Sequence, residues 1–445
     1  MTKLKMVLLL IIYCCSAALV FAQVKPPSIS QMGTPEDTIS KNRKEMLEYT
    51  SRIEENKVNR DTTYLQIGGA LRFNYINTNY EQGRSPLGTS LRNDFTLDTW
   101  RLNVNAESKG ILMSFEYRFY PTFNTHFIQH GWFGYNLTNH TQVQLGVSQV
   151  PFGNLKYASH SWWFQTPYYV GLEDDYDMGI KIRHTSDRWE GALAYYLLAE
   201  PRGTSDPTYG PYSAARYSYD VVPVPGNNNV ERNQFNARGA YNFSGTKVGA
   251  SLQYGQIFNL VNNNVGHQTA SAIHLEGNYG RFNLKAQYLH YNYNNVRNDA
   301  GELLNVVQMG AYGFGTYDVA ANASMYVAGL SYSLPLNFGP VSDITFYNDY
   351  TYTRKNGQGQ HNSGTYSFAN TQQNVIGALV SAGKIYTYID WAAGKNHPWL
   401  TEYFGGSALG AGIGIDPSKP VSSTNLPNQN SRWNSRFNIN IGYYF

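Results

Sequence analysis

The chain has 445 residues, a formal net charge of +3, 41 glycines, 37 tyrosines and two cysteines. Near-neutral charge excludes a polybasic protein that binds nucleic acid or coats a membrane surface. Both cysteines, Cys14 and Cys15, lie in the first 22 residues, so the remainder has neither a disulfide framework nor thiolate chemistry.

Lys3 and Lys5 precede the apolar run MVLLLIIY, and VFAQ follows. A basic start, a short apolar stretch and a small-residue site predict a signal peptide over residues 1–22, cut between Ala22 and Gln23. Tyr13 and Cys14 precede the two cysteines, where lipid attachment wants a small residue, so no lipoprotein is expected. Residues 23–62 read as a periplasmic N-terminal extension. Within it PEDTISKNRKEMLEYTSRIEENKVNRD, charged and free of glycine, can form one short helix.

From Thr63 the pattern has period two. YLQIGGALRFNY sets Leu65, Ile67, Leu71, Phe73 and Tyr75 on one face and Gln66, Arg72 and Asn74 on the other. WRLNVNAE and ILMSFEYRF repeat it, and so do about a dozen later segments, making about sixteen strands. After the leader no apolar stretch is long enough for a membrane helix. The linkers distinguish a membrane barrel from a soluble sandwich. Tight turns such as SKG, TNH and YGR alternate with long loops near 78–94, 150–177, 199–230, 258–268, 292–322, 353–372 and 393–431. A shorter one lies near 120–125. One rim of short turns and one of long loops is what an up-and-down barrel crossing a membrane requires. Residues 63–445 are therefore read as an all-β, antiparallel transmembrane barrel.

In the last strand, RFNINIGYYF, the residues Phe437, Ile439, Ile441, Tyr443 and Phe445 would face lipid and join an aromatic girdle. A terminal Phe after alternating aromatics resembles the signal read by the outer-membrane insertion machinery. Leader, barrel and terminus together predict the outer membrane of a Gram-negative-type bacterium, with outer-membrane lipid around the barrel.

If apolar residues face lipid, their neighbours face the lumen. The inward basic residues are then Arg72, Arg101, Arg118, Lys181, Arg183, Arg238, Lys285 and Arg436. The inward acids are Glu107, Glu116, Glu276, Asp349 and Asp390. A sixteen-stranded barrel has room for water, and an excess of basic residues biases it mildly toward anions. Pairing of these charges across the lumen is the competing reading. His126 and His130 share the inward face by parity, as lumen histidines rather than metal ligands. The glycine-rich stretches GFGTYDVAANAS and GGSALGAGIGIDP open no helix, and no nucleophile motif appears. No enzyme is expected.

WRLNVNAESKGILMSFEYRF, IQHGWFGYNLTNHTQVQLGVSQVPFG and YDMGIKI, between Trp100 and Arg183, resemble the phosphate-selective porin O/P family. Gly146, Pro151, Phe152 and Gly153 hold the family's element ahead of an inward-folded third loop. The resemblance implies sixteen strands, a homotrimer, and a constriction built from Asn154 to Asp177. That loop carries Lys156, His160, Trp162 and Trp163, then Glu173, Asp174, Asp175 and Asp177 in GLEDDYDMG. The family lines its constriction with arginine and lysine, and of these Arg101 alone carries over. Selectivity for phosphate is therefore not implied. The loop acids can be anchored by wall arginines or hold a calcium ion through carboxylate oxygens; no other cofactor or metal is indicated.

The functional expectation is an outer-membrane porin for passive diffusion of small hydrophilic solutes and ions, with a mild anion preference. One alternative is a channel with a binding site for sugars or for organic or inorganic anions such as phosphate, with SWWFQTPYY stacking on a ring. The other is a plugged structural or adhesin barrel.

Overall fold

The computed structural model describes residues 63–79, 94–207, 212–313, 315–361, 364–400 and 433–445. The predicted signal peptide and N-terminal extension lie outside the described residues. Along the first half run β1 (Thr63–Thr78), β2 (Asp94–Ser108), β3 (Ile111–Tyr120), β4 (Thr125–Asn136), β5 (Thr141–Gln149), β6 (Tyr176–Thr185) and β7 (Trp189–Ala199). Next come β8 (Asp220–Val221), β9 (Asn229–Phe243), β10 (Thr246–Asn259), β11 (Val265–Tyr279), β12 (Phe282–Asn294), β13 (Val306–Gly310) and β14 (Thr316–Ala320). The last are β15 (Asn322–Phe338), β16 (Val341–Asn356), β17 (Gln358–His361), β18 (Gly364–Ser367), β19 (Thr371–Ala382), β20 (Ile385–Lys395) and β21 (Asn434–Tyr444).

Sixteen of these strands form one closed antiparallel barrel, in chain order with β8, β13, β14, β17 and β18 left out. Closure is between β21 and β1, in register from Ala70 against Tyr444 to Thr78 against Arg436. Gly69 and Phe445 exchange two backbone hydrogen bonds of 3.1 Å just beyond that register. Closing the sheet on itself leaves no unpaired edge among the barrel strands, as a barrel crossing a bilayer requires, since each free backbone group in hydrocarbon would cost several kcal/mol.

The period-two pattern becomes an outward apolar face and an inward polar one. Leu65, Ile67, Phe133, Leu145, Ile180, Leu252 and Ile273 are exposed outside, whereas Asn105, Gln142, Gln144, Gln253 and Asn438 are buried inside. Outward aromatics pair near the short-turn rim, as in Trp189 with Tyr241 (4.6 Å) and Phe282 with Tyr332 (4.9 Å). Others pair toward the opposite rim, as in Tyr288 with Tyr326 (5.1 Å) and Phe73 with Phe95 (5.9 Å). On the last strand Phe437, Ile441, Tyr443 and Phe445 are exposed and Ile439 half-buried on the same outward side. The tight turns use left-handed backbone where hairpin twist demands it: Lys109 (φ 52°) with Gly110 (φ 80°), and Ser244 (φ 52°) with Gly245 (φ 97°).

β3 and β4 are joined by 121–124, the shorter connection expected there, while one expected long connection is short: β10 and β11 are joined by 260–264. Phe258 and Asn259 still belong to β10 and Val265 to Gln268 to β11, so both strands run further than the asparagine-rich sequence between them suggests. A second departure is larger. Residues 200–207, 212–228, 295–313 and 315–321 fold into the barrel mouth, where β8, β13 and β14 form a small sheet. Tyr217, Tyr219, Val221, Val307, Met309, Tyr317 and Val319 from these segments bury themselves against Tyr196, Ile257, Leu289, Tyr291 and Met325 of the wall. An apolar core therefore fills part of what parity alone reads as an open, water-filled lumen.

Candidate functional site

The third loop, 150–175, starts on β5, crosses the lumen and returns to β6. Its path is dictated by wall residues that satisfy its backbone. Gly153 sits at φ 63°, donates its N–H to Ser251 Oγ (3.0 Å) and accepts from Arg238 Nε (2.8 Å). A side chain there would run into the Gln287 amide, which itself accepts the Asn154 N–H at 2.8 Å. Lys285 Nζ donates to the carbonyls of Tyr157 (3.0 Å) and Ser159 (3.1 Å). Asp349 accepts the N–H groups of His160 (2.7 Å) and Ser161 (2.8 Å), and His160 Nδ1 lies 2.8 Å from its other oxygen. Gln373 donates to the Phe164 carbonyl at 3.1 Å. The loop is thus strapped along β10 to β12, β16 and β19, opposite β1 to β4.

Among the described residues, a cavity of about 680 Å³ is lined from Thr122 and Phe123 at one rim to Gly383, Lys384 and Phe445 at the other. One wall carries arginines. Arg72 pairs with Asp98 at 2.7 Å. Glu116 binds Arg118 closely and lies 3.6 Å from Arg101, whose Nη2 donates to the Tyr444 hydroxyl at 3.1 Å. Arg118 stacks on Tyr217 (4.4 Å to the ring) and Arg436 on Trp163 (4.7 Å). The facing wall is aromatic: Tyr157, Trp162, Trp163, Phe164, Tyr168 and Tyr169 of the third loop, continued by Tyr217, Tyr219 and Tyr312 of the inserted segments. Lys156, Lys384 and Asp174 complete the charges of the lining. Guanidinium groups stacked on rings keep their charge while shedding water, which preserves a positive potential in a narrow passage.

The inferred lumen charges therefore divide into groups. Arg72, Arg101, Arg118, Arg436 and Glu116 border the passage. Lys181, Arg238 and Lys285 also point inward, but they hold the third loop and its base; Lys181 donates to the Gln149 carbonyl at 2.6 Å. Arg183 reaches Thr185 at 3.4 Å, and with Glu107 it stands near the short turns, outside the passage lining. Of the loop residues, Lys156, Trp162, Trp163 and Asp174 meet the passage, while His160, Glu173, Asp175 and Asp177 do not. Asp177 belongs to β6 rather than to the loop. The acids therefore do not form an acidic constriction. Asp174, the one on the lining, receives hydrogen bonds from Tyr217 (2.5 Å), Gln149 (3.0 Å) and Tyr176 (3.2 Å). In the family element Phe152 is buried in the apolar core, and Gly146 takes φ 131°.

No protein-family model and no curated protein matches the chain. Solved structures do match. OmpT, expressed in the outer membrane of Vibrio cholerae, is 12% identical over 86% of this chain and 98% of its own, with a TM-score of 0.51. The outer membrane channel DcaP of Acinetobacter baumannii is 10% identical over 86% and 97%, with a TM-score of 0.51. Salmonella typhi OmpF in its complex with daunomycin is 11% identical over 87% and 99%, with a TM-score of 0.51. The chain shares the closed sixteen-stranded barrel fold of these outer-membrane proteins. At such identities the likeness extends to the barrel and carries nothing about individual solutes.

Bulges account for lining residues that parity misplaces in this barrel. Between Arg72/Thr99 and Phe73/Leu97 the register skips Asp98, which turns inward to Arg72. Between Glu116/His130 and Tyr117/Ile128 it skips Gln129. His130 and Gln129 therefore line the passage, while His126 faces outward and stacks on Phe119 at 4.3 Å. The two histidines are on opposite faces, contrary to strict alternation. An extra residue in one strand is the physical cause.

Proposed function

We propose that the protein is an outer-membrane porin through which small hydrophilic solutes, anions preferred, diffuse passively. The observation that carries this reading is the cavity lined from rim to rim, with Arg72, Arg101, Arg118 and Arg436 along it against two wall acids, Asp98 and Glu116. Arg72 is neutralised by Asp98, whereas Arg101 and Arg118 share Glu116, so the wall keeps a net positive charge. Basic residues in a narrow lumen lower the barrier for anions. The motif from Trp100 to Arg183 supports a place in the phosphate-selective porin O/P family and a homotrimeric assembly in outer-membrane lipid, and the terminal strand ending at Phe445 supports insertion guided by that strand. Phosphate selectivity is not part of the proposal, because an aromatic wall, not a second row of basic groups, faces the arginines.

That aromatic wall supports a second reading, in which the passage binds a ring-bearing solute such as a sugar or an organic anion by stacking. Planar-bilayer recording of the purified protein decides. The porin reading expects ohmic steps with a reversal potential on the anion side, shifted toward cations by Arg101→Glu. Absence of conductance in the wild-type protein sinks it. Saturable block by a sugar or an aromatic carboxylate, absent in Trp163→Ala, selects the binding-site reading.

A further inference from the structure

Five carboxylates, those of Asp175, Asp177, Glu200, Asp220 and Glu231, are buried, and none borders the passage. Asp175 ends the third loop, Asp177 lies on β6, Glu200 and Asp220 belong to the segment between β7 and β9, and Glu231 is on β9. Carboxylate oxygens of Asp175, Asp177 and Asp220 all fall within 4.8 Å of one another. Oxygens on opposite sides of a calcium ion, each about 2.3–2.6 Å from it, are separated by about that span. A second observation points the same way. Asp177 Oδ1 and Glu200 Oε2 have no hydrogen-bond partner, although their residues are 1% and 2% exposed. Glu200 is held beside the trio: its other oxygen accepts the Ser218 N–H, and Ser218 Oγ accepts the N–H of Tyr176, between Asp175 and Asp177.

Positive charge at the cluster comes from Arg216, 2.6 Å from Asp220. Each carboxylate taken out of water costs several kcal/mol, and a single guanidinium does not offset five. All donors are hard oxygens, with no Cys or His among them, which selects calcium over transition metals.

We propose that Asp175, Asp177 and Asp220, with Glu200 beside them, bind a calcium ion that ties the third loop and the inserted residues around Glu200 and 212–228 to β6. The ion fixes the walls of the passage without standing in it.

The test uses the full-length protein in detergent, stripped with a chelator and titrated with calcium chloride by calorimetry, with unfolding temperature read in parallel. The expected result is one calcium per chain and a higher unfolding temperature with calcium. Magnesium, which prefers a tighter oxygen cage, should stabilise less. Asp177→Asn should weaken binding by about tenfold or more, and so should Asp220→Asn, which also releases Arg216. Glu173→Gln, on the same loop but outside the cluster, should bind as the wild type does. No heat of binding and no stabilisation at millimolar calcium overturn the proposal. Undiminished binding in Asp177→Asn overturns it as well. Conductance of the wild-type protein is measured separately, so a failure here is distinguishable from a failure of the porin reading.

Discussion

At the scale of single residues, the passage depends on side chains whose partners can be removed one at a time. Glu116 is buried between Arg101 and Arg118 and also accepts a hydrogen bond from the Asn103 amide. Glu116→Gln removes a negative charge that two guanidinium groups share while keeping the shape of the lining. The reversal potential should move further toward the anion side, opposite in sign to Arg101→Glu, and a shift toward cations would contradict the assignment of this wall as the selective one. Asp349 tests a different property. It is fully buried and accepts two backbone N–H groups of the third loop as well as His160. Asp349→Ala leaves those donors without a partner, at about 1–3 kcal/mol for each buried group. The loop should then leave its strap, visible as noisier and larger conductance steps together with a lower unfolding temperature.

At the scale of elements, alternation in the sequence locates nearly every barrel strand, because a lipid-facing strand must be apolar on one side along its whole length. Leu65 to Tyr75 and Phe437 to Phe445 show this without help from tertiary contacts. The same rule fails where an extra residue enters a strand. Asp98 reads as outward by counting from Trp100, yet the bulge turns it to Arg72. Residues 295–321 are the other failure. β13 and β14 are five residues each, too short for periodicity to distinguish them from a loop, and their apolar residues become meaningful only against Ile257 and Leu289 of the wall. The role of this insertion is testable by excising 297–319 and joining the ends with glycines. The barrel ladder does not use those residues, so heat-modifiable migration on a gel should persist. Conductance should rise, since Val307, Met309 and Tyr317 no longer fill the mouth. An unchanged conductance would show that the segment does not limit the passage.

At the scale of the whole molecule, the proposed selectivity rests on fixed charge in a confined space rather than on net charge, which is only +3 over 445 residues. Arg101, Arg118 and Arg436 stand along one wall of a cavity of about 680 Å³, while many other charges neutralise one another or anchor loops. A field of this origin reaches across the passage only when mobile ions do not screen it. The screening length is about 10 Å near 0.1 M salt and about 3 Å near 1 M. The anion preference should therefore be largest in dilute potassium chloride and fall steadily as salt is raised, even as total conductance grows. Arg101→Glu should alter the dilute-salt value strongly and the concentrated-salt value little. If the passage instead binds its solute by stacking on Trp162, Trp163 and Tyr168, block by that solute will persist at high salt, because burial of ring surface is not screened. The salt dependence of current and of block, measured on the same channels, thus separates charge at the arginine wall from stacking at the aromatic wall facing it.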